Sequence, residues 1–201
     1  MRAALLSLFA LLLALAPAAA QNANGTANPA EQFVSGQIRT GLTILNDTGL
    51  AADARERKFE DFLLGATDLK RIAVFTLGNA NATPAQRDAF AAAFNDYATT
   101  VYRSYFQHYS GQSLSVTGSA DNGPGDTIVH ARLDDPNGGR PLTVDFRVRT
   151  DGAKPLVIDI GIAGVWLALT QRDDFAAFLA RNNGNVDALT THLQDVAKSY
   201  R

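Results

Sequence analysis

The chain has 201 residues, with 18 Lys and Arg against 20 Asp and Glu, a formal net charge of −2 and no cysteine. This length suits one domain, and the charge balance argues against a nucleic-acid-binding module. The lack of cysteine excludes disulfides, thiolate metal sites and a cysteine nucleophile. The three histidines, His108, His130 and His192, have no spacing that predicts a zinc site.

The N-terminus has the pattern of a secretory signal peptide. A basic start precedes an apolar run from Ala3 to Ala16, which leads into small residues. The run is shorter than the roughly 20 residues that a membrane span requires. The sequence therefore predicts a cleaved signal peptide at residues 1–20, a flexible leader at 21–28 and a single domain over 29–201 of an exported, periplasmic protein.

The first part of the domain has the periodicity of α-helices. Apolar residues recur at helical spacing from Pro29 up to the turn residues 46–49. A second helix is predicted over residues 52–64, and a third over residues 68–77, where Gly78 ends the pattern. These segments predict a helical N-terminal half.

The fourth helix has the clearest start. Thr83 and Gln86 form a capping box around a proline at the first helical position, and the helix is predicted to continue to about Tyr109. Its apolar and aromatic residues recur at steps of three or four and form one stripe of Phe90, Phe94, Tyr97, Val101 and Tyr105. Taken alone, such a stripe is typical of core packing.

From Ser113 onwards the period changes to two, which predicts β-strands. One strand starts at Ser113, and three more are predicted over residues 127–133, 142–149 and 156–162, with short turns between them. Short turns between consecutive strands predict an antiparallel meander.

The last two of these strands alternate apolar with polar residues, so that each predicts two different faces. The alternation predicts one apolar face with Val144, Phe146, Val148, Ile158 and Ile160. It predicts the opposite face, directed toward solvent or a partner, with Arg147, Arg149, Val157 and Asp159.

Two helices are predicted after the sheet, over residues 163–180 and 186–198. Helices first, then a curved antiparallel sheet of four to five strands, then helices that pack back on it indicate the α+β class. The predicted arrangement is NTF2-like, with the helical N-terminal half and the C-terminal helices packed on the sheet.

Motifs for catalysis are missing from the sequence. It has no nucleophile elbow, phosphate-binding loop or dinucleotide fingerprint, and residues 121–126 lack the spacing of a calcium-binding EF-hand. His130 has no acidic partner in the local pattern, which favours a structural or surface role, and His108 is expected at the surface edge of the fourth helix. An NTF2-like hydrolase or isomerase that depends on Asp159 or His130 remains an alternative.

Several segments together resemble one known family. The run LG…ATPAQRDAF over residues 77–90 is followed by VDFRV at 144–148, IDIGIAGV at 158–165 and QRDDF at 171–175. In this order and spacing the segments resemble the MlaC/toluene-tolerance family of periplasmic phospholipid-binding proteins. The resemblance extends over essentially the whole mature chain.

The resemblance implies a binding protein, and not an enzyme, that carries phospholipid between the outer and inner membranes. It implies an apolar pocket between sheet and helices for the acyl chains, with the headgroup near solvent. The implied partners are an outer-membrane lipoprotein complex and an inner-membrane ABC transporter complex, with this chain as the soluble, monomeric component that maintains outer-membrane lipid asymmetry. No cofactor, metal or nucleic acid is expected.

The pocket is expected between the apolar face of the sheet and the facing helices. The candidate lipid-binding residues are Phe94, Tyr97, Val101, Tyr105, Val144, Phe146, Val148, Ile158, Ile160, Val165, Trp166 and Leu169. Trp166 stands where the family commonly has serine, which leaves a hopanoid or another apolar compound open as the ligand. Core packing is the alternative role of each side chain.

Overall fold

The computed structural model describes residues 28–106 and 109–200, with the backbone alone at residues 102–106. The predicted signal peptide, most of the predicted leader, His108 and the side chain of Tyr105 lie outside what is described. The elements are α1 (Pro29–Leu45), α2 (Ala52–Ala66), α3 (Leu69–Leu77), α4 (Pro84–Phe106), β1 (Ser113–Asp121), β2 (Asp126–Asp134), β3 (Leu142–Arg149), β4 (Leu156–Ile162), β5 (Val165–Trp166), α5 (Leu167–Arg181) and α6 (Val186–Ser199). The predicted α+β class is confirmed.

Hydrogen bonds at the helix starts explain where the helices begin. The Asn28 side chain accepts a bond from the Ala30 N–H at 2.9 Å, and Pro29 occupies the first turn of α1. At α4, the Thr83 N–H donates to Gln86 Oε1 at 3.0 Å, and the Gln86 N–H donates to Thr83 Oγ1 at 3.2 Å. The predicted capping box is therefore confirmed.

α3 is a nine-residue helix with a cap at each end. Asp68 accepts an N–H bond from the first turn, and Gly78 ends the helix with φ 60°, a left-handed conformation that glycine adopts without steric cost. One side of the helix buries Ile72, whereas the other side leaves Val74 and Phe75 exposed. The helix therefore has one face toward the interior and one apolar face toward solvent.

The strands form one sheet in the order β1-β2-β3-β4-β5, and all neighbouring pairs are antiparallel. The predicted meander is confirmed. The helix predicted from residue 163 begins only at Leu167, so that part of the prediction is wrong. Ala163 and Gly164 have φ values of 50° and 83° and form a tight hairpin turn that pairs Ile162 with Val165.

A β-bulge in β4 moves Ile158 off its predicted face. Phe146 pairs with Ile160, but Val148 pairs with Val157, so Ile158 is the extra residue on β4. Val157 therefore shares a face with Val148 and is buried. The alternation predicted for Ile158 and Val157 is wrong, because one extra residue reverses the side-chain alternation beyond it.

The sheet has two chemically different faces, because paired residues on neighbouring strands share a face. We call the first the apolar face, and it carries Val144, Phe146, Val148, Val157 and Ile160. We call the second the charged face, and it carries His130, Asp145, Arg147, Arg149 and Asp159.

α1 lies across the apolar face of the sheet. Ala30 and Val34 are almost fully buried against Val129 and Val148, which makes a small core between α1 and the first strands. α2 covers the neighbouring part of this face less closely, since Ala66 is its only buried residue. The apolar face is thus tightly covered at one end and loosely covered at the other.

The remaining helices form a second core, which we call the helical core. The ring of Phe175 from α5 stands edge-on to Phe90 and Phe94 of α4, with centroid distances of 5.7 and 6.3 Å. Leu189 and Leu193 from α6 complete this cluster and are 0% and 2% exposed.

None of the helices in the described part of the chain has the length and hydropathy of a membrane span.

Candidate functional site

Two cavities adjoin the apolar face of the sheet. The first, which we call the α5 cavity, has a volume of about 220 Å³ and lies between α3, α4, β4 and α5. Phe94, Tyr97 and Val101 of α4 line one wall, and Val157 and Ile160 of β4 line another. Each of these residues except Val157 belongs to the predicted site.

The second cavity, which we call the α2 cavity, has a volume of about 190 Å³ and lies between α1, α2 and the sheet. Its wall includes Ile38 from α1, Phe59 and Phe62 from α2, and Phe146 and Ile160 from the sheet. Among the described residues, no charged side chain lines it. Its wall is almost entirely apolar.

The two cavities share a wall at the end of α2. Thr67, Val157 and Ile160 line both of them. The chain is fixed here to the free edge of β4, because Thr67 bridges to Val157 and the Asp68 N–H donates to the Val157 carbonyl at 3.0 Å.

α2 contributes the aromatic residues of the α2 cavity that were not predicted as site residues. Phe59, Phe62 and Leu63 line the α2 cavity, although the sequence analysis placed them only on the apolar side of a helix. Gly41 of α1 permits the approach, since a Cβ there would lie 3.2 Å from the Phe62 ring. In the sequence, the signal for this contact is the glycine on α1 together with two phenylalanines on α2.

Polar groups border the α5 cavity on several walls. The Tyr97 hydroxyl donates to Gln171 Oε1 at 3.1 Å, which links α4 to α5 across the cavity. Asp159 Oδ1 accepts bonds from the N–H groups of Ile160 at 2.8 Å and Ala168 at 2.9 Å. Asp159 thus caps α5, whose own N-cap residue makes no side-chain bond.

Burial is the largest influence on Asp159 and raises the pKa of its carboxyl, while the two backbone N–H bonds and the more distant charge of Arg147 lower it. The raised pKa follows from the position of the group between an apolar cavity and the sheet. We infer that Asp159 serves to cap α5, because the free N–H groups in the first turn of a helix need an acceptor.

The charged face is held together by ion pairs, and of its residues only Asp159 borders a cavity. Asp126 is buried and accepts bonds from Arg147 Nε and Nη2, the shortest at 2.7 Å, while Arg149 binds Asp151. The hydrogen bond from Arg147 is the largest influence on Asp126 and lowers its pKa. Arg147 and Arg149 lie opposite the apolar face as predicted. Both form ion pairs with aspartates of this chain.

His130 also lies on the charged face. Its Nδ1 is 2.7 Å from Oδ1 of Asp145, which is its direct cross-strand neighbour. The expectation that His130 lacks an acidic partner is wrong, because the partner comes from the next strand and not from the local sequence. Over residues 28–106 and 109–200, no three His, Asp or Glu side chains come together as metal ligands.

The remaining predicted site residues lie elsewhere. Val144 and Val148 are buried on the apolar face and line neither cavity. Ile158 is directed to the charged face next to Arg147. Val165 is 54% exposed at the β4–β5 hairpin, and a surface depression on the charged face is bordered by Trp166 and Leu169.

Comparison with known proteins identifies a family and similar solved structures. The family model for the MlaC protein matches residues 38–195. One of the solved structures is a phospholipid-binding protein from Ralstonia solanacearum in complex with a phospholipid, with a TM-score of 0.73 and 22% sequence identity. The match covers 86% of this chain and 99% of that chain, and at this identity it shows a shared fold.

Proposed function

This chain belongs to the MlaC protein family, and from that membership we propose that it is a periplasmic lipid-binding protein that carries phospholipid between the outer and inner membranes. The family predicted from the sequence is thereby confirmed. The proposed role is that of a soluble, non-enzymatic component of an ABC transport system that maintains outer-membrane lipid asymmetry. Its proposed partners are an outer-membrane lipoprotein complex and an inner-membrane ABC transporter complex.

The observation that carries the proposal is the α2 cavity with its uncharged wall. Each CH₂ group in water costs about 0.8 kcal/mol relative to an apolar environment, so two long acyl chains cost more than about 20 kcal/mol. A protein that carries such a molecule through water needs an apolar enclosure and no reactive group. The α2 cavity and its neighbour supply an enclosure of this kind.

The division of the space favours a ligand with two flexible chains. Neither cavity reaches the roughly 300–1,000 Å³ of pockets that enclose a whole ligand. They meet at Val157 and Ile160, so a forked molecule can place one chain on each side of this wall. A rigid fused-ring compound such as a hopanoid needs one continuous slot, and the shared wall interrupts such a slot.

Entry of the chains requires part of the wall to move. α2 is the best candidate, because it has one buried residue and its N-cap, Ala51, makes no side-chain hydrogen bond. The helical core, by contrast, is filled by interlocking phenylalanine and leucine side chains. Displacement of α2 would open the α2 cavity without disturbing that core.

The enzyme alternative has less support in the geometry. Asp159 is occupied with the start of α5, and His130 is paired with Asp145 on the charged face. Neither His130 nor Asp145 lines a cavity. The two groups that an NTF2-like enzyme would use therefore have other contacts.

The proposal is tested by native mass spectrometry of the mature protein, purified without detergent. The bound lipid is then extracted and identified. We expect one diacyl phospholipid per chain. Protein that is free of lipid and also does not take up added phospholipid would contradict the proposal. One bound hopanoid per chain would support the carrier function but contradict phospholipid as the cargo.

A matched pair of variants on β4 assigns the site. Ile160→Asp places a carboxylate on the wall of both cavities, whereas Ile162→Asp places the same group two residues further, where the side chain is 39% exposed. We expect Ile160→Asp to lose bound phospholipid and Ile162→Asp to retain it. If Ile160→Asp does not fold, Ile160→Phe reduces the volume of both cavities with an apolar side chain and gives the same readout.

A further inference from the structure

The exposed side of α3 combines apolar and basic side chains. Val74 is 59% exposed, the highest value among the large apolar side chains described, and Phe75 is 40% exposed. Lys70 and Arg71 precede them by one helical turn and therefore lie on the same side. The helix itself, Leu69–Leu77, contains no acidic residue.

α5 continues this surface beside α3. Leu169 is 40% exposed and borders the same depression as Phe75. The Arg172 guanidinium lies 5.2 Å from the centroid of the Phe75 ring, a cation–π contact. We call this surface the α3–α5 face, and it consists of Lys70, Arg71, Val74, Phe75, Leu169 and Arg172.

Lys70 and Arg71 form no ion pair among the described residues, and Arg71 reaches Asp151 only through a longer-range charge interaction. Arg172 has the adjacent Asp173 at 3.5 Å as its carboxylate partner. The whole chain has a net charge of −2, so this face is a basic region on an acidic protein. Basic side chains around exposed apolar ones are complementary to a surface of anionic lipid headgroups.

The position of the face relative to the cavities adds to the argument. Ile72 of α3 and Ala168 and Gln171 of α5 line the α5 cavity on the opposite side of the same two helices. A helix is about 10 Å across with its side chains. A membrane in contact with the α3–α5 face would therefore lie one helix diameter from the cavity.

We propose that the α3–α5 face docks the protein directly on an anionic phospholipid membrane. Val74 and Phe75 insert at the level of the headgroups, and Lys70, Arg71 and Arg172 contact lipid phosphates. This goes beyond the carrier function, since docking depends on the outer surface of α3 and α5 and not on the identity of the cargo. A membrane surface suits the face better than a basic or neutral protein does, because its charge is of the opposite sign.

Sedimentation with vesicles tests the proposal on the mature chain. The probes are vesicles of phosphatidylglycerol and phosphatidylcholine in equal amounts, and vesicles of phosphatidylcholine alone, at low and high salt. We expect at least roughly tenfold stronger association with the anionic vesicles, lost at high salt. The double variant Arg71→Glu/Val74→Ser should lose most of this association.

The matched control is Arg140→Glu/Leu142→Ser. Like the test variant, it replaces one arginine by glutamate and one exposed apolar residue by serine. Leu142, at the start of β3, is 41% exposed. The control should associate like the unaltered protein. Native mass spectrometry of both double variants should show unchanged bound lipid, which separates a failure of docking from a failure of the carrier function.

Three results would overturn the proposal. The first is no association with anionic vesicles at low salt, which would leave the α3–α5 face to an acidic protein partner. The second is equal association with neutral vesicles. The third is equal loss of association in the two double variants while both remain folded by circular dichroism.

Discussion

The helical core and the α2 region bury similar side chains in different ways. In the helical core, Phe90 and Phe175 are 1% and 4% exposed and meet edge to face. In the α2 region, Phe59 and Phe62 lie 5.7 Å apart between centroids and face a cavity of about 190 Å³. The difference indicates which part of the protein maintains the fold and which part leaves room for another molecule.

Close packing and open space have different energetic consequences. A filled core gains dispersion contacts on all sides of each ring, and removing a ring leaves a void that the surroundings cannot fill. A ring at a cavity has already lost part of those contacts, so its removal costs less stability. A ligand that occupies the cavity restores the missing dispersion contacts of the ring.

The largest expected effect compares one phenylalanine from each region. Phe90→Ala should lower the free energy of unfolding by about 3–5 kcal/mol. Phe62→Ala, at the partly exposed wall of the α2 cavity, should lower it by about 1–2 kcal/mol and weaken lipid retention more strongly. Urea denaturation and native mass spectrometry of both variants provide the two measurements. Equal losses of stability would remove the distinction between the regions.

The next effect concerns the charged face, where ion pairs replace the aromatic contacts of the helical core. Asp126→Asn should lower the free energy of unfolding by about 2 kcal/mol at neutral pH, because Arg147 loses its charged acceptor. Arg147 lowers the pKa of Asp126, so the stabilisation is present above the unfolded pKa of about 3.9.

This stabilisation is lost as the pH falls through the lower pKa of the folded state. The stability difference between the unaltered protein and Asp126→Asn should therefore shrink as the pH falls below about 3.9. Thermal denaturation over a pH series measures it. A difference that stays constant down to the lowest pH would contradict the role of the Asp126 charge.

A smaller effect should follow from capping α2. The Ala51→Asp variant supplies the missing side-chain acceptor at the N-cap and should stabilise the protein by about 0.5–1 kcal/mol. If α2 moves to admit the acyl chains, the same variant should slow the exchange of bound lipid with vesicles. Faster or unchanged exchange in a more stable variant would place the entrance elsewhere.

The smallest effect concerns Asp159, beside the α5 cavity. Burial raises its pKa, so its contribution to stability is complete below about pH 3.9 and is lost as the pH rises through the higher folded pKa. Asp159→Asn keeps an oxygen for the Ala168 N–H and removes the charge. We expect a gain of about 0.5 kcal/mol at neutral pH that disappears in acid. A clear loss at neutral pH would show that the charge itself is required.

Features encoded within a few residues could be predicted from the sequence. Thr83 and Gln86 are three residues apart, and their capping box fixes the start of α4 in the structure. The strand alternation around Phe146 likewise gives the correct face of β3. Local hydrogen bonds and side-chain period are sufficient for these features, so the class and the order of elements followed from them.

Features that depend on distant residues could not be predicted. The partner of His130 is Asp145 on the next strand, and the bulge at Ile158 depends on which β3 residue pairs with Val157. The cavities pose a different difficulty, because they are defined by volume that Phe62 and its neighbours leave unfilled. A sequence specifies which side chains are apolar, but the unfilled volume depends on how closely two helices approach.

The bulge at Ile158 also has a practical consequence for protein engineering. On β4, Val157 and Ile160 line both cavities, and two residues separate them rather than one. A library that varies every second position of this strand would change one cavity residue together with one from the opposite surface. Altering the cargo preference therefore requires the paired positions 157 and 160 to be varied together, with Ile158 left as the spacer.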